Sequence, residues 1–271
     1  THGSTGNISV RLGDELLVTP TGSSFGSLDP ARITRLDAAG RVVAGDPPSK
    51  EAFLHLAMYQ ERASAGAVVH LHSTHSVAAS VLADVDPADV LPPLTAYYVM
   101  RIGTLPLVPY FPPGDRDLAD AVRGFAGRHH ALLLANHGAV SWGTSLMEAF
   151  FRLESMEHYA TVLMYTGNII GKANVLSCDQ VQELIDIRTR MGIHTGGVPP
   201  CAPRPSNVRD VLAQHSPVVQ AEAAPEVKTY QPGQENSGSA GALTEDEIER
   251  VRQAVIARLR GGHPDQLGAH L

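Results

Sequence analysis

Ala67-Val68-Val69-His70-Leu71-His72 is the run on which the reading of this chain turns. Small and β-branched apolar residues lead into two histidines spaced by two. On a strand, residues i and i+2 point to the same face, so His70 and His72 present their imidazoles side by side. The apolar residues before them place the pair at the end of a buried strand. Two imidazoles on one face suit a divalent metal. Hydrogen-bonded or exposed strand histidines fit the same spacing.

A second run, Ala131-Leu132-Leu133-Leu134-Ala135-Asn136-His137-Gly138, has the same form. It too is a buried strand ending in histidine, with a glycine after it where backbone can approach a ligand closely. Three neutral imidazoles would make an open Zn²⁺ site suited to Lewis-acid chemistry. His75, His129 and His130 are possible substitutes, but the first opens a helix and the other two sit in a turn. His55 and His158 lie within helices and read as core-edge or surface residues.

Further from the histidines, Pro48-Ser49-Lys50-Glu51 sets a carboxylate in the first turn of a helix, where it is stabilised and positioned. Helix capping is the plainer reading of Glu51. Gly6-Asn7-Ile8-Ser9 and Thr19-Pro20-Thr21-Gly22 offer hydroxyls, an amide and backbone N–H groups on turns. With Ser49 and Lys50 they could cradle a phosphate. Neither segment is a P-loop or a dinucleotide fingerprint.

Around these runs, residues 1–202 read as one α/β unit in which short β-branched segments alternate with amphipathic ones. Strands are expected at 7–11, 15–19, 67–72, 105–110 and 131–136. Helices are expected at 49–63, 74–82, 115–127, 145–166 and 179–192. Ser49 is the expected N-cap of the first helix, with Phe53, Leu56 and Ala57 as its core stripe. Gly/Pro turns join several strands directly, which favours a mixed or antiparallel sheet over a pure βαβ array.

Beyond Met191 the texture changes. Residues 203–243 are rich in Pro, Ala, Ser, Gly, Gln and Glu without sustained periodicity and read as a flexible linker. Thr244-Glu245-Asp246-Glu247 is a capping box, followed by Ile248, Val251, Val255, Ile256 and Leu259 at helical spacing. Residues 244–262 therefore read as an amphipathic tail helix, and 263–271 as a disordered end.

The composition bounds what such a chain can do. It has 271 residues, a formal net charge of −7, 43% hydrophobic and 18% charged residues. That is ample apolar material for a core, and the acidic balance argues against nucleic acid as the main ligand. Two distant cysteines, Cys178 and Cys201, form neither a disulfide framework nor a Cys-based zinc site. No apolar run approaches the ~20 residues of a membrane-spanning helix. A cytoplasmic location is expected, and the start at Thr1, inside a motif, suggests an incomplete N-terminus. Histidine is abundant: 13 against 7 Tyr.

Taken together and in order, these segments resemble the class II aldolase/adducin family. The landmarks are Gly6-Asn7-x-Ser9, Thr19-Pro20-Thr21-Gly22, Pro48-Ser49-Lys50-Glu51, His70-x-His72 and Asn136-His137-Gly138, with 19 residues from Glu51 to His70. The resemblance covers roughly residues 1–195. It implies a three-layer α/β/α sandwich with a central mixed, largely antiparallel sheet, and a homotetramer with active sites near subunit interfaces. By position, His70, His72 and His137 match the ligands of a zinc or other divalent ion. Glu51 matches the catalytic acid/base, which can also ligate the metal. Asn7, Thr21, Gly22, Ser49 and Lys50 fall at phosphate-binding positions, although Lys50 departs from the small hydroxyl residue of the fuculose-phosphate aldolase branch.

Thr1-His2-Gly3-Ser4-Thr5-Gly6-Asn7, Pro48-Ser49-Lys50-Glu51-Ala52, His70-Leu71-His72-Ser73-Thr74-His75-Ser76 and Leu91-Pro92-Pro93-Leu94-Thr95-Ala96-Tyr97-Tyr98 resemble the 3-oxo-tetronate 4-phosphate decarboxylase branch. The implied reaction gives dihydroxyacetone phosphate and CO₂ through a metal-stabilised enediolate. A sugar-phosphate aldolase or ribulose-phosphate 4-epimerase would use the same scaffold, and a metal-free, adducin-like interaction module is the non-catalytic alternative. An aldolase also needs an acid for the departing alkoxide, and Tyr97 and Tyr98 are its candidates; Arg101 is the candidate carboxylate partner for a decarboxylase. The tethered tail helix is similar to peptides that direct enzymes into bacterial microcompartments. Docking on a neighbouring subunit is the alternative.

Overall fold

Two β-hairpins built side by side account for half of the sheet. β1 (Asn7–Leu12) turns into β2 (Glu15–Val18), and the short strands β3 (Thr34–Leu36) and β4 (Val42–Ala44) extend it outward. β5 (Ala67–Leu71), β6 (Leu107–Val108), β7 (Ala131–Leu134) and β8 (Gly138–Gly143) complete eight strands in the order β4-β3-β2-β1-β5-β8-β7-β6. Every neighbouring pair is antiparallel except β6 with β7, so the sheet is mixed and largely antiparallel. The structure is a computed structural model and describes residues 2–83, 85–112, 114–166 and 175–200. The linker expected at 203–243, the tail helix at 244–262 and the end at 263–271 lie outside the described residues.

Among the described residues six α-helices accompany the sheet: α1 (Ala52–Glu61), α2 (Thr74–Ser80), α3 (Ala96–Arg101), α4 (Asp117–Ala126), α5 (Leu146–Tyr165) and α6 (Cys178–Arg190), the last packed on α3. The alternation of β5 decides which face each one meets. Ala67, Val69 and Leu71 pack with Ala79 of α2, Tyr98 and Ile102 near α3, and Leu153 and Met156 of α5. Val68 points the other way, into a core with Leu54 and Met58 of α1 and Leu118 and Val122 of α4. Helices on both faces of one sheet make the expected three-layer α/β/α sandwich.

Several local expectations change. The segment 105–110 shortens to Leu107–Val108 because Pro106 and Pro109 flank it and cannot donate to the ladder. β3 and β4 are three residues each, too short to show a period, and β8 escapes notice because glycine bounds it at both ends. α3, not among the expected helices, is a six-residue helix capped by the Thr95 hydroxyl, which accepts from Tyr98 N. Ser49 is not the N-cap of α1. The helix starts later, and Glu51 occupies the cap position without a capping hydrogen bond from its side chain. The buried face of α1 is Leu54, Ala57 and Met58, whereas Phe53 and Leu56 are only partly covered.

One polar contact locks the helical layer behind the histidines. Glu157 of α5 accepts from the backbone N–H and Nδ1 of His75 through Oε1, at 3.0 and 2.9 Å. Its Oε2 accepts from the backbone N–H and hydroxyl of Ser76, at 2.8 and 2.9 Å. Burial opposes ionisation, but these four donors outweigh it and hold the carboxyl at about 2. α2 follows directly on the His70-x-His72 run, so this pin fixes the chain as it leaves the sheet. Glu157→Ala is expected to lower unfolding stability by about 2 kcal/mol, the scale of lost charge-assisted hydrogen bonds. Urea denaturation checks this, and a change within experimental error would show that the pin is dispensable.

Candidate metal and active site

Register builds the site before any side chain is considered. β1 and β8 flank β5, pairing Asn7 and Val140 with His70. Such close pairing at the strand end depends on two glycines. Gly6 adopts the left-handed conformation (φ 82°), and a Cβ there would stand 2.6 Å from the His70 carbonyl oxygen. A Cβ on Gly138 would stand 2.7 Å from the Leu71 carbonyl oxygen. The β7–β8 turn leaves His137 immediately before Gly138, with Asn136 in the left-handed region (φ 56°) that asparagine tolerates. His70 and His72 share the α1 face of the sheet, and His137 arrives from the neighbouring hairpin.

The three rings meet at centroid distances of 4.9, 4.9 and 4.7 Å. One nitrogen from each lies within 4.8 Å of the others. His70 Nδ1 donates to the Ala139 carbonyl at 3.0 Å, so its Nε2 carries the lone pair and faces the cluster. That Nε2 is 3.0 Å from Nε2 of His72. Glu51 completes the group, with Oε2 3.4 Å from His70 Nε2 and Oε1 3.3 Å from His137 Nε2. Its Oε1 is buried without a hydrogen-bond partner. Converging lone pairs and an orphaned carboxylate oxygen repel one another unless a cation lies among them, so this donor set fits a divalent ion.

Behind Glu51 runs a chain of buried hydrogen bonds. Glu51, His55 and Tyr59 stand four residues apart on α1 and form one stripe; Asn7 and Ser9 stand two apart on β1 and face it. Asn7 Nδ2 donates to Glu51 Oε2 at 2.8 Å, which makes Asn7 Oδ1 the acceptor for His55 Nε2–H. Burial drives His55 down to about 4, so the ring is neutral and its Nδ1 accepts from the Ser9 hydroxyl at 2.6 Å. Ser9 in turn lies 2.9 Å from the Tyr59 hydroxyl. Every donor therefore points toward Glu51. Burial raises the carboxyl, but His70, the Asn7 amide, His137 and His55 outweigh it and hold it below its ordinary range. Burial also drives His70 to about 3.

A cavity of about 400 Å³ opens over this group. Thr21, Gly22, Ser49, Lys50, His72 and His137 line it, as do Asn7 and Glu51. The structure thus brings together the three histidines, Glu51 and the two turn segments. Within that lining, the Asn7 amide is also committed to Glu51 and His55. Tyr97 and Tyr98 do not line the cavity. Tyr98 is buried and stacked on Tyr159 with ring centroids 4.1 Å apart, and Tyr97 is exposed under the Arg101 guanidinium. Arg101 is likewise absent from the lining, where Tyr110 and Phe111 stand instead. Two contributors escaped the sequence reading. His55, expected at the core edge or surface, is fully buried behind Glu51, and its spacing of four from Glu51 is the signal that points there. Tyr110 could have been suspected from the Pro112–Gly114 turn that follows it.

The fold and this site define the class. The chain belongs to the class II aldolase and adducin family: residues 1–164 match the family described as Class II Aldolase and Adducin N-terminal domain. It is a lyase, and the non-catalytic reading is set aside. The chain is 47% identical over 167 residues to the 3-oxo-tetronate 4-phosphate decarboxylase of Escherichia coli, covering 61% of this chain and 79% of that protein. It is 32% identical over 187 residues to the L-fuculose phosphate aldolase of the same organism, covering 68% and 84%. Among solved structures it is similar to YgbL of Escherichia coli, described as a putative aldolase/epimerase/decarboxylase. That match has a TM-score of 0.66 and 43% identity, covering 68% of this chain and 88% of the other.

The buried histidines carry a stability signature. His130, held by the Arg101 carbonyl and Thr195, is driven by burial to about 3, and His55 to about 4. Both are neutral when folded and protonate near pH 6.5 when unfolded. The unfolded chain therefore binds more protons below that pH, and stability is lost as pH falls from about 6.5 toward 4. The expected slope is about 1.4 kcal/mol per pH unit for each ring, or about 3 for the pair. Denaturant unfolding across that window checks it; a flat profile would mean that neither ring resists protonation.

Proposed function

We propose that this enzyme decarboxylates a 3-oxo-tetronate 4-phosphate, giving dihydroxyacetone phosphate and CO₂. The observation that carries this reading is the convergence of three imidazoles and Glu51 beside a cavity with a lysine at its rim. The identity of 47% to a protein named for that reaction, against 32% to an aldolase, favours decarboxylation over aldol cleavage.

His70, His72 and His137 would hold Zn²⁺ or another divalent ion, with Glu51 able to join them when substrate is absent. A bound cation supplies Lewis-acid stabilisation of negative charge on the substrate's oxygens. Thr21, Gly22, Ser49 and Lys50 bind the phosphate, and Lys50 supplies positive charge in a chain whose net charge is −7. With the phosphate fixed, the carbon losing its carboxylate sits toward Glu51. As the carbon–carbon bond breaks, CO₂ leaves and the electron pair passes into the neighbouring ketone. Glu51, ionised at rest, takes up a proton from solvent and relays it to this carbon, and the hydrogen-bond chain through Asn7 and His55 keeps its carboxyl in place.

Aldol cleavage of a sugar phosphate is the second reading. It is favoured by the Tyr110 hydroxyl at the cavity wall, where a departing alkoxide could be protonated. Incubation with 3-oxo-tetronate 4-phosphate and, separately, with fuculose 1-phosphate distinguishes the two. CO₂ from the first and no aldehyde from the second is the expected result, and the reverse overturns the proposal. Glu51→Gln is expected to retain stoichiometric metal while turnover falls at least about a hundredfold, the scale of general acid–base catalysis.

For residues 244–262, which lie outside the described residues, the capping box and apolar stripe support a role in delivery to a bacterial microcompartment. Fusing residues 240–271 to a fluorescent protein tests this. Puncta coincident with assembled shells are expected, whereas diffuse fluorescence in shell-forming cells would refute it.

A further inference from the structure

The other end of the sheet holds a second cavity, of about 330 Å³, with no part in the chemistry above. Arg62, His130, Trp142, Thr144, Glu148 and Arg152 stand in its wall. β8 spans the distance between the two sites, from Gly138 beside the histidines to Gly143 at this cavity. At about 3.4 Å per residue the separation is roughly 17 Å.

The charges here run against the character of the chain. Arg152 donates to the Trp142 carbonyl and lies 2.7 Å from Glu148 Oε1. The other Glu148 oxygen accepts from the backbone N–H and hydroxyl of Thr144, at 2.6 and 2.7 Å. Glu148 is thus fully engaged. Arg62 donates through Nη1 to the His129 carbonyl at 2.7 Å and lies 5.7 Å from the centre of the Trp142 ring. It has no carboxylate within 4 Å among the described residues. The indole N–H of Trp142 is buried without a hydrogen-bond partner. Burial and the nearby cations Arg152, Arg62 and Arg188 push His130 down to about 3, so it adds no charge of its own.

Arg62 and Arg152 are both attracted to the single carboxylate of Glu148 and repel each other, so the cavity wall keeps an excess positive charge that is costly when partly buried. An oxyanion offsets that excess charge, and the planar fork of arginine matches its geometry. We propose that this rear cavity binds a small oxyanion, a phosphate or carboxylate group, with Arg62 as its principal ligand and Arg152 beside it.

Trp142 is the only tryptophan in the chain, so its emission reports on this cavity directly. The full chain is titrated with inorganic phosphate and with succinate, with ionic strength held constant by chloride. A saturable change in emission is expected with at least one of them. A response to phosphate alone assigns a phosphate site, and a response to succinate alone a carboxylate site. Arg62→Met should weaken the response at least about tenfold and Arg62→Lys by less, with both variants checked for an unchanged circular dichroism spectrum. Lys50→Met, at the opposite end of the sheet, should leave it intact. An undiminished response in Arg62→Met, or its loss in Lys50→Met, overturns the proposal. So does the absence of any saturable response in the wild-type chain when equilibrium dialysis also finds no anion beyond the one that Lys50→Met removes.

Discussion

The close approach of backbone to the end of β5 is the constraint on which the rest of the structure depends. Gly6 and Gly138 press against the carbonyls of His70 and Leu71, where a methyl group in either place would lie within 2.7 Å of oxygen. Removing both side chains lets β1 and β8 pair with β5 up to its last residues. The consequences are immediate. Asn7 stands opposite His70, and His137 is delivered one residue before its strand begins. Were either strand displaced by a side chain, the third imidazole and the amide behind Glu51 would lose their registration together.

A second constraint comes from two periods meeting. α1 repeats every 3.6 residues and β1 every two, so positions 51, 55 and 59 on the helix line up with positions 7 and 9 on the strand. Buried polar groups are costly when any member is unsatisfied. Here each donor finds an acceptor, from Tyr59 through Ser9, His55 and Asn7 to the carboxylate. The exception is the second oxygen of Glu51, which faces the histidines. The network is thus complete everywhere except where a ligand belongs. The other end of β8 shows the opposite sign, since there two guanidiniums, Arg62 and Arg152, face the single carboxylate of Glu148.

The histidines show how far residue type falls short of role. His70, His72 and His137 form the cluster, yet His55 supports it from behind. His75 helps pin α2 to α5, and His130 ties a loop to the Arg101 carbonyl and Thr195. The ordered landmarks were legible because each combines a strand or turn signal with a particular side chain. His55 was not, because a histidine inside a helix carries no local sign of what it faces. The tyrosines make a related point: adjacent Tyr97 and Tyr98 each carry a hydroxyl, but the α3 helix turns one into the core and the other outward, while Tyr110 lines the cavity.

What the sequence determined by itself was the layering, the strand ends that carry histidine, and the family. Alternation, glycine placement and motif order are local and survive without coordinates. Tertiary structure alone decided that Glu51 faces the histidines instead of capping its helix, that Asn7 serves the carboxylate, and which arginines gather behind Trp142. Each of these depends on pairing between segments 19 to 90 positions apart in the chain. Such proximity is set by sheet register and by packing on both faces, and no window of sequence contains it.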